Sequence, residues 1–393
     1  MGNRPAALAG LPLLEDLGDL SGARVLVRAD FNVPLAERNG ERVVVDDFRI
    51  TATLPTLTYL LEQGATVAVC SHLGRPTVMG DPKFSMAPIA AVMERLLPGV
   101  EVLENVRFHP GEESCSDEAV DALIDSFDCF VNDAFGSSHR NHASVVGIAR
   151  RLPSAAGRLV QREVEVLGGL LHQPPSPFVA IVGGAKVADK LGILMTLADK
   201  VDTLIVGGAM AFTFLAAQGH EIGASMVDPS KLSQCQELLN RDVEILLPTD
   251  IVAIEPGGSF GPQFNGTSPD AQVLTYGEDL PEGWIGLDVG PDSVKAFGER
   301  IAEASTILWN GPVGAFEDER FAAGTLGVAH AVADSSGFSV IGGGDSAMAL
   351  NGAGLADQIS FMSTGGGASL EFIEHGDLPG LAALRAASNA PKG

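Results

Sequence analysis

Two lysines beside a glycine turn are residues whose types and spacing could do chemistry. The segment FVAIVGGAKVADKL (178–191) runs from an apolar stretch through two glycines to Lys186 and Lys190, four residues apart. A strand, a tight turn and a helix would fit, and on a helix both lysines would share one face. Phosphate-binding loops are built this way, but the string G-x-x-x-x-G-K-[ST] occurs nowhere in the chain. The pattern predicts a phosphate site without a P-loop.

Four segments of the second half share this layout, in which an apolar run ends at glycines and a helix-like stretch follows. Open α/β sheets bind ligands at the carboxyl ends of their strands, where the N–H groups of helix N-termini attract phosphate. One such turn could simply close a βα connection, but four at one sheet edge would surround a single crevice. The segments are IVGGAKVADK (181–190), IVGGAMAFTF (205–214), VIGGGDSAMA (340–349) and STGGGASLEF (363–372).

Asp345 follows the glycines of the third segment. The position suits a magnesium ligand, because Mg²⁺ takes one or two carboxylates together with phosphate oxygens. The alternative is a helix N-cap, a role that aspartate fills well. Ser346 could serve the same anion. GGGDSA also reads as G-x-G-x-x-A, but the acidic residue that a dinucleotide site needs about 20 positions later is missing.

Cationic side chains stand near the ends of the apolar runs in the first half. Arginine offers a planar fork that binds phosphate and carboxylate with two hydrogen bonds, so several at one sheet edge would form a pocket for a small polyanion. Any single arginine could instead be surface charge or half of a salt bridge. Arg28 lies inside a strand pattern before Asp30, and for it we expect an internal ion pair. The other cations are Arg49, His72, Arg75, Arg107, His139 and Arg140.

The composition narrows the class of protein. The net charge of −25 disfavours binding to nucleic acid and to anionic membranes. Four cysteines lack metal-ligand spacing, and a reducing cytoplasm is the default expectation. No apolar stretch approaches the roughly 20 residues of a membrane span, and the N-terminus lacks a signal-peptide pattern. We therefore expect a cytoplasmic protein with small-molecule partners.

Apolar runs alternate with helix-like segments along the whole chain, which predicts an α/β fold with mostly parallel sheets. The chain length suggests two domains. The proline-rich HQPPSP (172–177) marks a break, and the helix-like segment 159–171 before it would connect the domains. We predict two similar-sized Rossmann-like domains joined by this hinge helix, with the division near residue 172.

The sequence resembles the phosphoglycerate kinase family nearly end to end. The resemblance rests on ten blocks in the family's order, with small departures such as Ala29 and Ala209. The blocks are RADFNVP, SHLGRP, ENVRFH, VNDAFGSSHR, GGAKVADK, GGAMAFTF, GWIGLDVGP, WNGPVGAFE, GGGDSA and STGGGASLEF. The resemblance implies a 3-phosphoglycerate-binding domain at 1–172, a Mg-nucleotide-binding domain at 173–377, and a tail, about 378–393, that packs back on the first domain. It also suggests a monomer.

The resemblance implies the ligands of both substrates. Those of 3-phosphoglycerate or 1,3-bisphosphoglycerate would be Asp30, Asn32, Arg49, His72, Arg75, Arg107, His139 and Arg140. Those of ADP or ATP would be Lys186, Lys190, Gly286, Asn310, Glu317, Gly343, Gly344, Asp345 and Ser346, with Mg²⁺ on Asp345. Arg49, Lys190, Gly366 and Gly367 would act on the transferring phosphoryl group.

The implied reaction is the reversible, in-line transfer of a phosphoryl group from 1,3-bisphosphoglycerate to ADP. A carboxylate leaves or attacks, so no proton moves and no general base is needed. Two other readings stay open at this point. One is a non-catalytic two-domain protein that binds a phosphometabolite, and the other is an NAD-dependent dehydrogenase.

Overall fold

The computed structural model describes residues 4–38, 40–172, 174–261 and 271–388. The chain divides into two compact units, which we call unit 1 (residues 1–172 with 367–393) and unit 2 (residues 173–366). Residues 367–377, predicted from the sequence to lie in the second domain, group with unit 1. Phe372 explains the difference, because its ring packs edge-on against Phe135 with 5.9 Å between the centroids. The last five residues of the predicted tail, 389–393, lie outside the described residues.

Unit 1 is built on a five-stranded parallel sheet with the strand order β5-β4-β1-β6-β7. Its central strands are almost wholly buried, as expected of unbroken apolar runs. Numbered along the chain, the strands are β1 Arg24–Arg28, β4 Thr66–Cys70, β5 Glu101–Val102, β6 Cys129–Asn132 and β7 Ser154–Ala156, and β2 Leu35–Arg38 with β3 Glu41–Val44 form a separate hairpin.

The helices of unit 1 include two that return from the end of the chain. They are α1 Phe48–Thr51, α2 Leu54–Glu62, α3 Ala87–Leu96, α4 Asp117–Ile124, α5 Arg158–Leu171, α12 Gly367–His375 and α13 Pro379–Ser388. Near the start of α13, the N–H of Gly380 donates to the carbonyl of Ser138 at 2.8 Å. The last helix therefore contacts the loop that carries His139 and Arg140.

Unit 2 has a six-stranded parallel sheet with the order β10-β9-β8-β14-β15-β16 and a three-stranded antiparallel sheet with the order β12-β11-β13. The strands are β8 Phe178–Val182, β9 Thr203–Val206, β10 Glu244–Leu246, β11 Ile251–Ile254, β12 Val273–Tyr276, β13 Ile285–Val289, β14 Thr306–Asn310, β15 Phe338–Gly342 and β16 Phe361–Met362. The helices are α6 Leu191–Ala198, α7 Ala211–Gln218, α8 Leu232–Leu239, α9 Pro291–Glu303, α10 Ala323–Asp334 and α11 Gly344–Gly352.

Each parallel sheet has one place where the strand order reverses. In unit 1 the chain runs outward from β1 to β4 and β5, then returns to place β6 on the other side of β1. In unit 2 the same reversal separates β8 from β14. A crevice forms beyond the carboxyl ends of the strands at such a reversal, and doubly wound folds bind ligands there. The fold therefore predicts ligand sites at the loops after β1 and β6 in unit 1 and after β8 and β14 in unit 2.

The α/β class and the mostly parallel sheets are confirmed, but one local prediction is wrong. The helix expected directly after Gly184 begins only at Leu191, and Lys186 lies on irregular backbone before it. Lys186 and Lys190 consequently do not share a helix face. Gly184 has φ +126°, a left-handed conformation that does not lead directly into a right-handed helix.

Candidate active site

A cavity of about 310 Å³ lies at the strand-order reversal of unit 2. It is formed by the glycine turns after β8, β14 and β15, so three separate strand ends contribute to it. Lys186, Lys190, Asn310, Gly343 and Asp345, all predicted from the sequence, line it. Gly184, from the glycine pair of the first segment, also lines it, together with four residues that were not predicted from the sequence: Ala185, Asp189, Gly311 and Pro312.

Lys190 is the main cation of this cavity. Its ammonium group donates to Oδ1 of Asn310 at 2.7 Å and lies 3.3 Å from the carbonyl oxygen of the same residue. Burial lowers the pKa of Lys190 to about 8, and the Asp345 carboxylate opposes this shift. Asn310 thus fixes the lysine head at the cavity, and within the described ranges no carboxylate forms an ion pair with it. A bound phosphate would supply the missing negative charge.

The glycines after β8 and β14 allow the two backbones to approach closely. A side chain at Gly183 would overlap the carbonyl of Pro312, and one at Gly311 would overlap the carbonyl of Gly183. The N–H of Gly311 donates to the buried hydroxyl of Ser346 at 2.7 Å. Ser346, proposed from the sequence as an anion ligand, therefore holds the glycine turn with its hydroxyl oxygen.

Asp345 lies in the first turn of α11, and the N-cap of that helix is Gly343, at φ +89°. The N-cap position considered for Asp345 is thus occupied by Gly343. The exposed carboxylate makes no hydrogen bond or ion pair with the described residues, although it lines the same cavity as Lys190. No cluster of three or more metal-binding side chains occurs in the described ranges. One free carboxylate beside a phosphate-type cavity fits a Mg²⁺ ion held mainly by phosphate oxygens.

The other predicted nucleotide residues of unit 2 lie outside the residues that line this cavity. Gly286, on β13, faces Phe212 and Ile251 so closely that a methyl group would overlap them, and its N–H donates to Ser225 at 2.9 Å. Glu317 is exposed on the loop after β14. Gly344 begins α11. Gly366, at φ +54°, ends unit 2, and the next residue, Gly367, begins α12 in unit 1. Their predicted contacts with nucleotide or phosphoryl group stay predictions.

In unit 1, Asp30 brings two predicted ligands together beyond the end of β1. Its buried carboxylate lies 3.0 Å from Nη1 of Arg49 and 4.0 Å from Nδ1 of His72. Although burial alone would raise the pKa of Asp30, the positive charges of Arg49 and Arg28, together with the nearby His72 ring, leave it lowered. Asp30 is therefore a buried anion that anchors the cationic side chains around it.

The remaining arginines form an electropositive cluster with few counter-charges. Burial lowers the pKa of Arg107, and the charges of Arg140, Arg75 and Arg28 lower it further. Nε of Arg107 lies 3.4 Å from the Glu113 carboxylate but makes no hydrogen bond, and its Nη1 donates to the carbonyl of Gly74. The buried Nε of Arg140 likewise makes no hydrogen bond with any residue that the structure describes. Like charges held together with unpaired donors indicate a site for an anion.

The side chains of Asn32 and His139 differ in their hydrogen bonding. Oδ1 of Asn32 accepts from the N–H of Gly74 at 2.8 Å, which orients the loop before Arg75. Nδ1 of His139 is buried and has no hydrogen-bond partner in the described part of the chain. Burial lowers the pKa of His139, while Glu371 on α12 opposes the shift. The structure thus leaves a buried histidine nitrogen beside Arg140.

The internal ion pair expected for Arg28 is absent from the described part of the chain. Its guanidinium donates to Oγ of Ser144 at 2.9 Å, to the carbonyl of Ala29, and to Nδ1 of His72 at 3.3 Å. Its position at the end of a buried strand explains the difference, because hydroxyl, carbonyl and imidazole groups surround it there. The contact with His72 was not predicted from the sequence.

Comparison with known proteins identifies the family. A sequence model described as phosphoglycerate kinase matches residues 14–102 and 98–376. The chain belongs to the phosphoglycerate kinase family. A phosphoglycerate kinase of Rubrobacter xylanophilus is 46% identical over 391 residues, covering 93% of this chain and 96% of the relative. One from Salinispora tropica is 47% identical over 405 residues, covering 94% and 98%.

Solved structures of phosphoglycerate kinases share the fold. The structure from Coxiella burnetii has a TM-score of 0.83 at 37% identity and covers 94% of this chain and 98% of its own. That from Pyrococcus horikoshii has a TM-score of 0.80 at 30% identity, with coverages of 96% and 99%. This chain is accordingly a glycolytic kinase, a phosphotransferase whose acceptor is the carboxyl group of phosphoglycerate. The dehydrogenase and non-catalytic readings are thereby set aside.

Proposed function

We propose that the two half-sites divide the substrates of phosphoglycerate kinase between them. The arginine cluster of unit 1 binds 3-phosphoglycerate or 1,3-bisphosphoglycerate, and the glycine-lined cavity of unit 2 binds ADP or ATP with Mg²⁺. The observation that carries this assignment is that the buried Nε atoms of Arg107 and Arg140 make no hydrogen bond with the described residues, in a chain with a net charge of −25. Such a cluster is stable only when something negative occupies it or water screens it.

The chemistry explains why neither half-site offers a general base. In the forward direction the group that leaves the acyl phosphate is a carboxylate, which needs no proton. In reverse, a carboxylate attacks ATP and has no proton to lose. His72, the most buried histidine of unit 1's half-site, fits this requirement, because burial lowers its pKa to about 3 and so makes it a weak base. Catalysis then rests on positioning and charge.

Arg49 and Lys190 are the cations that we assign to the transferring phosphoryl group, with the N–H groups of the turn at Gly366 and Gly367. Mg²⁺, held by Asp345 and phosphate oxygens, would add positive charge to the nucleotide phosphates. Arg49 is well suited because Asp30 holds one of its nitrogens while a third of its side chain stays exposed. Losing one preorganised donor of this kind typically costs about 3 kcal/mol of barrier.

Each unit supplies only part of the groups that the reaction needs, so transfer requires the substrates to meet. We propose that a hinge in the segment 159–175 closes the units on each other. Closure would also exclude water, which would otherwise hydrolyse the acyl phosphate. We further propose that the enzyme acts as a cytoplasmic monomer. No helix in the described ranges has the length and apolarity needed to cross a bilayer.

The test is a coupled assay of Mg-dependent ATP turnover with 3-phosphoglycerate. Arg49→Ala should lower kcat by a factor of about 10² or more, because a charge on the transferring group is lost, while nucleotide affinity is retained. Arg42→Ala, which removes an exposed arginine from the hairpin strand β3, is the matched control and should behave like the wild type. Near-normal turnover of Arg49→Ala would contradict the assignment of Arg49.

A further inference from the structure

We propose that Arg28 is a positioning residue that holds His72 in the neutral tautomer with its proton on Nε2. This inference rests on the proposed phosphoglycerate site in unit 1, of which His72 is a part. Arg28 ends strand β1 and is almost completely buried, with 1% of its surface exposed. A buried guanidinium needs hydrogen-bond acceptors for its N–H groups, and Arg28 has three of them: Ser144, Ala29 and His72.

One of these contacts decides the state of the imidazole. Nη2 of Arg28 lies 3.3 Å from Nδ1 of His72. A guanidinium can only donate, so Nδ1 must be the acceptor of this bond. A neutral ring whose Nδ1 accepts carries its proton on Nε2. The geometry therefore excludes both the imidazolium and the other neutral tautomer for as long as the contact is made.

Asp30 competes for the same ring nitrogen. Its Oδ1 lies 4.0 Å from Nδ1 of His72, and on its own it would favour a proton on that nitrogen. The groups that act on the His72 ring are Asp30, which favours protonation, and Arg28, Arg107 and Arg140, which oppose it along with burial. Arg28 is the one whose hydrogen bond reaches Nδ1. Without it, the carboxylate of Asp30 would remain to favour a proton on Nδ1.

Hydrogen bonds through Ser144 to Glu112 fix Arg28 itself. Its Nε donates to Oγ of Ser144, which in turn donates to Oε1 of Glu112 at 2.6 Å, while Oε2 of Glu112 accepts the N–H of Ser144 at 3.0 Å. Glu112 is as buried as Arg28. The hydroxyl of Ser144 thus bridges Arg28 and Glu112. This bridge fixes the orientation of the guanidinium without a direct contact between the two charged groups.

The consequence for recognition concerns the second ring nitrogen. Nε2 of His72 makes no hydrogen bond with the described residues, and in the assigned tautomer it is an N–H donor. A carboxylate or phosphate oxygen of the substrate could accept from it. A neutral donor among arginines adds direction without adding more positive charge to a cluster that already repels itself.

Nitrogen-15 NMR of the histidine side chains in the full chain tests the tautomer directly. The His72 signals are identified by their loss in His72→Gln. We expect the Nε2–H pattern for His72, unchanged from about pH 5 to about pH 8. An Nδ1–H pattern, or titration of His72 within that range, would overturn the proposal. This wild-type measurement does not depend on turnover, so it stands apart from any failure of the proposed function.

Variants of Arg28 test the positioning role. In Arg28→Met we expect His72 to titrate at higher pH and to populate the other tautomer, and the KM for 3-phosphoglycerate to rise about tenfold while the KM for ATP stays within about twofold. Arg28→Lys keeps a donor and the charge, and should recover most of the wild-type NMR pattern. If Arg28→Met folds and leaves both the His72 tautomer and its pKa unchanged, Arg28 does not set them.

Discussion

Burial sets the protonation of Lys190, the cation of the nucleotide cavity. Its pKa is lowered to about 8, so the free enzyme loses this charge as the pH rises through that value. Because phosphate binding needs the ammonium form, we expect kcat/KM for the nucleotide to decline above about pH 8. A profile of kcat/KM against pH at saturating 3-phosphoglycerate measures this, and a flat profile to about pH 10 would contradict it.

Replacement of Lys190 should show how much the charge contributes. Lys190→Met keeps most of the apolar stem but removes the hydrogen bonds to Asn310 and the positive charge. We expect kcat/KM for the nucleotide to fall by a factor of about 10² or more. Lys200→Met, an exposed lysine just after α6, serves as the control and should retain wild-type values.

The proposed Mg²⁺ site depends on a single carboxylate of the protein, that of Asp345. Asp345→Ala should weaken binding of the nucleotide with Mg²⁺ but leave binding of the metal-free nucleotide nearly unchanged, because only the metal contact is lost. Titration calorimetry with and without Mg²⁺ separates the two. The assignment fails if the magnesium dependence of the variant equals that of the wild type.

At the scale of elements, the start of helix α5 depends on a buried carboxylate. Oδ1 of Asp133 accepts the N–H groups of Leu159 at 2.9 Å and Val160 at 3.3 Å. Burial raises the pKa of Asp133 from 3.8 to about 6, against the effect of these bonds. The folded state therefore holds its proton to higher pH than the unfolded state does.

The sign of the resulting pH dependence follows from this difference. Between about pH 4 and pH 6 the folded state binds more protons at Asp133, so this group's contribution to stability falls as the pH rises. Asp133→Asn removes that contribution, and its stability relative to the wild type should increase by up to about 3 kcal/mol from pH 4 to pH 7. Urea unfolding of the full-length wild type and variant at each pH, monitored in unit 1 by hydrogen exchange, measures this difference in stability. A difference that does not change with pH would contradict the raised pKa.

The turn after β8 is an element whose shape depends on having no side chain. Gly183→Ala would force its methyl group into the carbonyl of Pro312, separating the ends of β8 and β14. We expect unit 2 to lose about 2 kcal/mol of stability or more. Gly352→Ala, at the end of α11 with open space around it, should change stability by less than about 1 kcal/mol. Equal effects of the two substitutions would refute the packing argument.

The sequence predicted the elements well where the pattern was local. The apolar runs became β1, β4, β6, β8, β9, β14, β15 and β16, and the segment 159–171 became α5, which starts one residue earlier. The helix after Gly184 was misplaced because the approach of Pro312 and the backbone angle of Gly184 are tertiary effects. The antiparallel sheet of unit 2 was missed, although runs such as IVAI and VLTY could have indicated it.

The site was predictable in kind but not in its contacts. Glycines after buried strands indicated the cavity, and arginines near strand ends indicated the electropositive cluster. Pairing of Lys190 with Asn310, 120 positions apart, follows from the adjacency of β8 and β14, which a single sequence does not reveal. The same holds for Arg28 and His72, which meet because β1 and β4 are neighbours.

For the whole molecule, the division of the substrates predicts two separate footprints. In hydrogen–deuterium exchange, 3-phosphoglycerate alone should protect the segments 28–33, 72–75 and 137–140 of unit 1. Mg-ADP alone should protect 183–190, 310–313 and 342–347 of unit 2, because those segments carry the cavity. Protection of the arginine segments by the nucleotide alone would argue against this division.

The two units differ in how the chain builds them. Unit 2 is one uninterrupted segment, whereas unit 1 needs both residues before 173 and the helices after 366. As the polypeptide leaves the ribosome, unit 2 can complete its core before α12 and α13 emerge. Unit 1, although it begins first, must wait for them, and its loop at Ser138 remains without the N–H of Gly380 until then. A nascent chain halted before α12 would accordingly hold a finished second unit and an unfinished first one.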